Sequence, residues 1–198
     1  MQLRRTGLRP MWKKQLTVLT VGDPRLRLMA EPVVTLDRPL QTLIKNLIWT
    51  AEKTNGVGIA APQVGVAKQL FIVASRPTLR YPHAPTMAPT PMINPHIVAH
   101  SDDRTADWEG CLSVPDQRGQ VARWREIEVE YGDRHGQMKR QVFTDFVARI
   151  FQHELDHLQG TVFTDRVADP TTLLTEQAYF DQLDSMPAIV TDHSDSLA

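Results

Sequence analysis

An α+β fold follows from three stretches of the chain. Leu40, Leu43, Ile44, Leu47, Ile48 and Ala51 recur at the i, i+3, i+4, i+7 spacing of an amphipathic helix. Ile127, Val129 and Tyr131 alternate with Glu126, Glu128 and Glu130, the period of a half-exposed strand. Helical spacing returns between Thr144 and Gly160, where Phe146, Ile150, His153 and His157 share a face. Two or three helices and several short strands within 198 residues suit one domain with a real core.

The chain begins with Arg4, Arg5, Arg9, Lys13 and Lys14 before any acid, so residues 1–15 read as a basic leader. No apolar core follows it, which removes a secretory signal; an organellar presequence stays as the alternative to a cytoplasmic bacterial protein. Leu16 to Val21 is a short apolar run closed by the turn signal Gly22-Asp23-Pro24. Asp37 offers an N-cap and Pro39 a first-turn proline for the first helix, and Asn55-Gly56 a stop. Small residues and glycines then crowd from Gly56 to Gly65, around one amide side chain, Gln63. Taken alone, that stretch is a glycine-rich turn from helix to strand, and it lacks the spacing of a phosphate loop.

Leu70 to Ala74 reads as a buried strand, and the prolines between Arg76 and Pro91 demand an irregular loop. Apolar character resumes from Met92 to Val98. The lone cysteine, Cys111, stands between Gly110 and Leu112. Gly132 to Gly136 is a hairpin turn. Thr144 or Asp145 can cap the next helix, on which Arg149, Gln152 and Asp156 are expected to point to solvent. Thr171 to about Leu183 could form a last helix, and the tail after Pro187 is polar and loose. Residues 169–198 are acidic, with no Lys or Arg.

The totals exclude some classes. A formal net charge of -1 argues against DNA or membrane-surface binding by bulk electrostatics. No apolar run approaches the roughly 20 residues that span a bilayer. One cysteine excludes an internal disulfide framework and fits a reducing compartment.

Chemistry concentrates in Gln152-His153-Glu154-Leu155-Asp156-His157. Histidines at i and i+4 project from one helix face and can share a divalent metal, with the intervening Glu beside it as a general base. All three lie in the apolar stripe, where an unsatisfied polar group costs about 1–3 kcal/mol. Two structural histidines bonded to backbone are the plainer reading, but the pair with Glu between them favours a metal. The third ligand separates enzyme classes. A metzincin protease requires a histidine where Phe163 stands. A thermolysin-like site requires a downstream glutamate, and Glu176 is the only one after Glu154. Cys111 remains, its thiolate a strong ligand for zinc or ferrous iron.

Three motifs together resemble the peptide deformylase family: Gly56-Val57-Gly58-Ile59-Ala60-Ala61-Pro62-Gln63, Glu109-Gly110-Cys111-Leu112-Ser113 and Gln152 to His157. The similarity runs from about Leu16 to Val167. It implies a deformylase-like α+β fold, with antiparallel strands surrounding a central metal-binding helix and a catalytic domain over 16–168. It implies removal of the formyl group from N-formyl-methionyl nascent peptides, releasing formate. Cys111, His153 and His157 would be the ligands of one divalent ion, Fe2+ natively, with Zn2+, Ni2+ or Co2+ as substitutes. Glu154 would be the acid–base group, and Gln63 and the Leu112 N–H the oxyanion donors. Val57, Gly58 and Gly110 would hold the substrate backbone, with Arg118 further along. Some members carry a basic C-terminal helix for ribosome docking; the acidic segment here argues against contact by that route. Rival readings are a zincin-like metalloprotease with another third ligand, a non-catalytic binding protein, and a cysteine hydrolase using Cys111 as nucleophile.

Overall fold

A computed structural model of the chain describes residues 13–185. Most of the basic leader and the tail beyond Ser185 lie outside the described residues. The elements in order are α1 (Arg38–Lys53), β1 (Gly58–Ala60), β2 (Leu70–Val73), β3 (Thr90–His100), β4 (Arg104–Cys111), β5 (Val114–Trp124), β6 (Glu126–Gly132), β7 (Met138–Thr144), α2 (Asp145–Leu158), β8 (Leu174–Thr175) and α3 (Glu176–Ser185). Four short 3-10 turns lie among them. The fold is α+β with two antiparallel sheets, ordered β1-β2-β3-β6-β7 and β4-β5-β8.

The period-2 pattern explains how one sheet serves two helices. On β2, Leu70 and Ile72 pack with Ile44, Leu47 and Ala51 of α1. Phe71 and Val73 point the other way, into a core with Phe151 and Ile150 of α2 and with Ile127, Val129 and Tyr131 of β6. Phe71 meets Phe151 edge-on at 5.1 Å. Burying each such side chain contributes about 1.5–3 kcal/mol. The intervening Glu128 and Glu130 stay on the open face and bind Arg140 of β7.

Local signals account for the ends of α1. The Asp37 side chain accepts from the Leu40 N–H at 2.9 Å, and Asn55 leaves the helix at φ 53. The segment after Leu16 is extended but unpaired as a strand. It braces two of the motifs instead, through Leu19 N–H to Gln63 O and Val21 N–H to Ser113 O, each 2.8 Å.

Two expectations fail here. The last helix does not start at Thr171: a 3-10 turn over Pro170–Thr172 and strand β8 precede α3. The backbone pairs Arg118↔Leu174 and Gln117↔Thr175, so strand pairing with β5 overrides helical spacing. The second failure is on α2, where Arg149, Gln152 and Asp156 are buried rather than exposed. The sheet of β4 and β5 covers that face, and the polar groups are satisfied within it: Arg149 donates to Val121 O at 2.7 Å and Gln152 to Trp124 O at 2.9 Å. Helix α2 therefore lies between the two sheets, buried on both sides. No helix of the described residues is long and apolar enough to cross a membrane.

Candidate active site

The helical spacing of α2 brings His153, Glu154 and His157 to one end of a cavity, and the β4–β5 turn brings Cys111 to meet them. Ligand atoms of Cys111, His153 and His157 lie within 4.8 Å of one another. Cys111 Sγ is 3.3 Å from His157 Nε2, and the two imidazoles stand nearly perpendicular, at 79°. The turn holds the sulfur, with Ser113 N–H donating to it at 3.3 Å. Gln63 arrives from the 3-10 turn after β1. Its Oε1 accepts from Ala60 N–H at 2.8 Å, which fixes the amide so that Nε2 faces Ser113 Oγ at 3.1 Å and Cys111 Sγ at 3.4 Å.

Behind the histidines lies a buried charge network that the sequence reading missed. His153 Nδ1 donates to Glu109 Oε2 at 2.9 Å. Glu109 also accepts from Arg123 at 2.9 and 3.0 Å and from Arg149 at 2.9 Å. Arg123 continues to Asp156 at 2.6 Å, which Arg166 closes from outside at 2.7 Å. A carboxylate on the far nitrogen fixes the ring and its tautomer, leaving His153 Nε2 to face the cysteine side. The signal available in the sequence was a glutamate two residues before the lone cysteine, on a strand whose partner carries Arg123.

Electrostatics follow from this packing. Burial alone would raise the Glu109 carboxyl, but the bonds from His153 and Arg123 outweigh it and hold it far below the usual range. Burial likewise opposes ionisation of Cys111 and His153. Cys111 is nevertheless pulled well below an ordinary thiol by the charges and hydrogen bonds of His157 and His153. His153 is raised by Cys111 and Glu109. With their protons released, Cys111, His153 and His157 offer one sulfur and two nitrogens, a donor set that suits a divalent zinc- or iron-type cation. Glu154 differs: its burial, only partly offset by His153 and His157, pushes it up to about 7. Among buried side-chain atoms of the described residues, Glu154 Oε2 and His157 Nδ1 lack a hydrogen-bond partner. Orphaned atoms of this kind are costly. Glu154 belongs to the cavity lining, whereas His157 Nδ1 is the ring nitrogen away from Cys111, since Nε2 faces the sulfur.

The cavity, about 210 Å³, is lined by Val57, Gly58, Gln63, Gly110, Cys111, Leu112, Arg118, Ile150, His153 and Glu154. A single water needs only about 10–15 Å³ by the same measure, so there is room for a chain segment. His157 lies behind this lining. Gly58 has a tighter reason to be glycine than substrate access: a Cβ there would stand 2.2 Å from Glu154 Oε1. Val57 O is already occupied, accepting from Ala74 N–H at 2.7 Å. Arg118 reaches the cavity, but its donors are engaged by Tyr81 and Glu176. Tyr81, Arg80 and Glu176 are lining residues that sequence reasoning did not place; the first two sit in the proline-rich loop, which motif spacing cannot fold.

The family model described as polypeptide deformylase matches residues 15–172. Peptide deformylase 2 of Nostoc sp. is 56% identical over 165 residues, which is 83% of this chain and 92% of the relative. Peptide deformylase 1 of Bordetella pertussis is 42% identical, over 84% of this chain and 96% of its own. Among solved structures, the Met-Ala-Ser-bound class I type b peptide deformylase of Acinetobacter baumannii superposes with a TM-score of 0.77 at 45% identity, covering 78% of this chain and 99% of that one. The Thermotoga maritima peptide deformylase does so with 0.71 at 32%, covering 79% and 99%.

Proposed function

The chain belongs to the polypeptide deformylase family and is a metal-dependent hydrolase that removes formyl groups, and we propose that Cys111, His153 and His157 hold its metal. Peptide deformylases act on N-formyl-methionyl nascent peptides, which makes the cytoplasm the expected place of action. The observation that carries the proposal is the convergence of Cys111, His153 and His157, whose ligand atoms lie within 4.8 Å of one another, beside the buried and unpartnered carboxyl of Glu154. Fe2+ is the proposed native ion, with Zn2+, Ni2+ or Co2+ able to replace it. Such an ion supplies Lewis acidity, making water acidic enough to be a nucleophile near neutral pH.

The chain's own residues do the rest. Glu154, held near neutrality by burial, takes the proton of the attacking water and returns it to the departing amine. As the formyl carbon becomes tetrahedral, its oxygen gains charge. Gln63 Nε2 and the Leu112 N–H are the proposed donors to that oxygen, and the Ala60 bond means Gln63 needs no reorientation. The peptide lies extended past Val57, Gly58 and Gly110, with its methionine side chain against Phe146 and Ile150 and its later residues near Arg118. All these residues fall within 16–168, the proposed catalytic domain. Ribosome contact through 169–198 is not proposed, because that segment is acidic.

Anaerobically purified, iron-loaded protein should release formate from formyl-Met-Ala-Ser, and no release sinks the reading. Cys111→Ser should lose most of its metal, measured as ions per chain. A variant that binds metal like the wild type would revive the zincin-like alternative, whose third ligand lies elsewhere.

A further inference from the structure

The mouth of the cavity is built partly from residues beyond the family match, which ends at 172. Among its lining residues Asp116 is exposed and Arg80 and Glu176 are partly exposed, so a peptide extending beyond formyl-methionine toward solvent on this side would meet them. Glu176 opens α3, and its position is set by the backbone, since β8 pairs with β5 just before it and Glu176 N–H donates to Asp116 Oδ1 at 3.3 Å. Its carboxylate engages two guanidinium groups at once. Arg80 Nε binds Glu176 Oε1, and Arg80 Nη2 lies 3.1 Å from Oε2. Arg118 Nη2 is 3.3 Å from Oε1, while its Nη1 donates to Tyr81 OH at 2.9 Å.

Arg118 is held as firmly as a core residue. Its guanidinium lies over the rings of Tyr81 and Tyr179 at 5.5 and 5.2 Å, and its side chain is 3% exposed. A Cβ at Gly110 would fall 2.6 Å from Arg118 Nη1, so this glycine leaves room for the guanidinium. Partial burial opposes ionisation of Glu176, yet Arg80 and Arg118 bring it below the usual range, so it is charged at neutral pH. Two arginines aimed at one opening would capture a carboxylate with bidentate geometry. Glu176 already fills that role from within the chain.

We propose that Glu176 sets the charge selectivity of the enzyme by occupying Arg80 and Arg118, so that acidic residues downstream of formyl-methionine cannot use them. This is selection by an internal competitor, and it rests on the deformylase reading above. Removing the carboxylate frees both cations to meet an acidic substrate side chain.

The test compares kcat/KM for formyl-Met-Ala-Asp and formyl-Met-Ala-Ser with the full-length, iron-loaded protein. Glu176→Gln should raise the acidic-to-neutral ratio about fivefold, through KM more than kcat, as a partly buried set of ion pairs allows. The gain should shrink at high salt. Glu176→Asp should keep the wild-type preference, and Glu176→Ala, the second route if Glu176→Gln fails to fold, should raise the ratio as Glu176→Gln does. Glu128→Gln, which removes a charge outside the cavity lining, should leave the ratio unchanged. An unaltered ratio in Glu176→Gln, or an equal rise in Glu128→Gln, overturns the proposal. If the wild type releases no formate from the neutral peptide, the deformylase reading itself has failed, and that result is distinct.

Discussion

Glu154→Gln should keep its metal and its fold while turnover falls about 10²–10⁴-fold, the range for loss of a positioned acid–base group. The substitution is nearly isosteric, and Gly58 leaves the space beside it. What changes is proton affinity: an amide cannot accept a proton at neutral pH, whereas burial has tuned the carboxyl to about 7. Glu154 makes none of the hydrogen bonds that hold His153, Cys111 or Gln63, so the ligands should stay in place. Formate release from formyl-Met-Ala-Ser, with iron per chain measured on the same sample, separates the possibilities. Near-wild-type kcat at full metal content would remove Glu154 from the chemistry. Activity lost together with the metal would make its role structural.

The second large effect should come from a residue that touches no substrate. Arg123→Ala should destabilise the metal-free protein by about 3–5 kcal/mol, read from the midpoint of urea unfolding. Arg123 is 6% exposed and bonds both Glu109 and Asp156. Deleting it leaves Glu109 with Arg149 and His153, and Asp156 with Arg166 alone. Breaking one member of a buried ionic set is severe because the remaining charges have already lost their water. Metal affinity should fall as well, about 10–100-fold, because Glu109 would hold the His153 ring less firmly. Arg125→Ala supplies the contrast. Its pairs with Asp145 and Asp103 lie at the surface, so its urea midpoint should stay close to that of the wild type. If the two variants unfold at the same urea concentration, the network is not what joins β5 to α2.

The sequence disclosed what depends on spacing and concealed what depends on packing between distant segments. The i, i+4 geometry of His153 and His157 and the alternation on β6 are local facts, and both appear where they were expected. Cys111 was reachable because a metal site needs a third ligand and few residues could provide it. Arg149, Gln152 and Asp156 were misplaced for the opposite reason. A polar stripe on an amphipathic helix normally faces water, and only the position of β4 and β5, which no local pattern encodes, turns it inward. The resemblance implies that Gly58 holds substrate backbone; what no local pattern shows is that a Cβ there would meet the Glu154 carboxyl, 96 residues further along the chain. The proline-rich loop was rightly read as irregular, but irregular sequence carries no period from which to place Arg80 and Tyr81 at the cavity.

The working atoms are also far apart along the chain. Gln63 bonds Ser113 across 50 residues, Cys111 faces His157 across 46, and Glu109 holds His153 across 44. Closing loops of that length is entropically costly, and each contact at the site is too weak to meet the cost by itself. The site is therefore complete only when both sheets are packed on α2. A chain cut before α2 would keep the glycine-rich turn and the cysteine but lose His153, Glu154 and His157 together. Catalysis here is as cooperative as the fold that produces it.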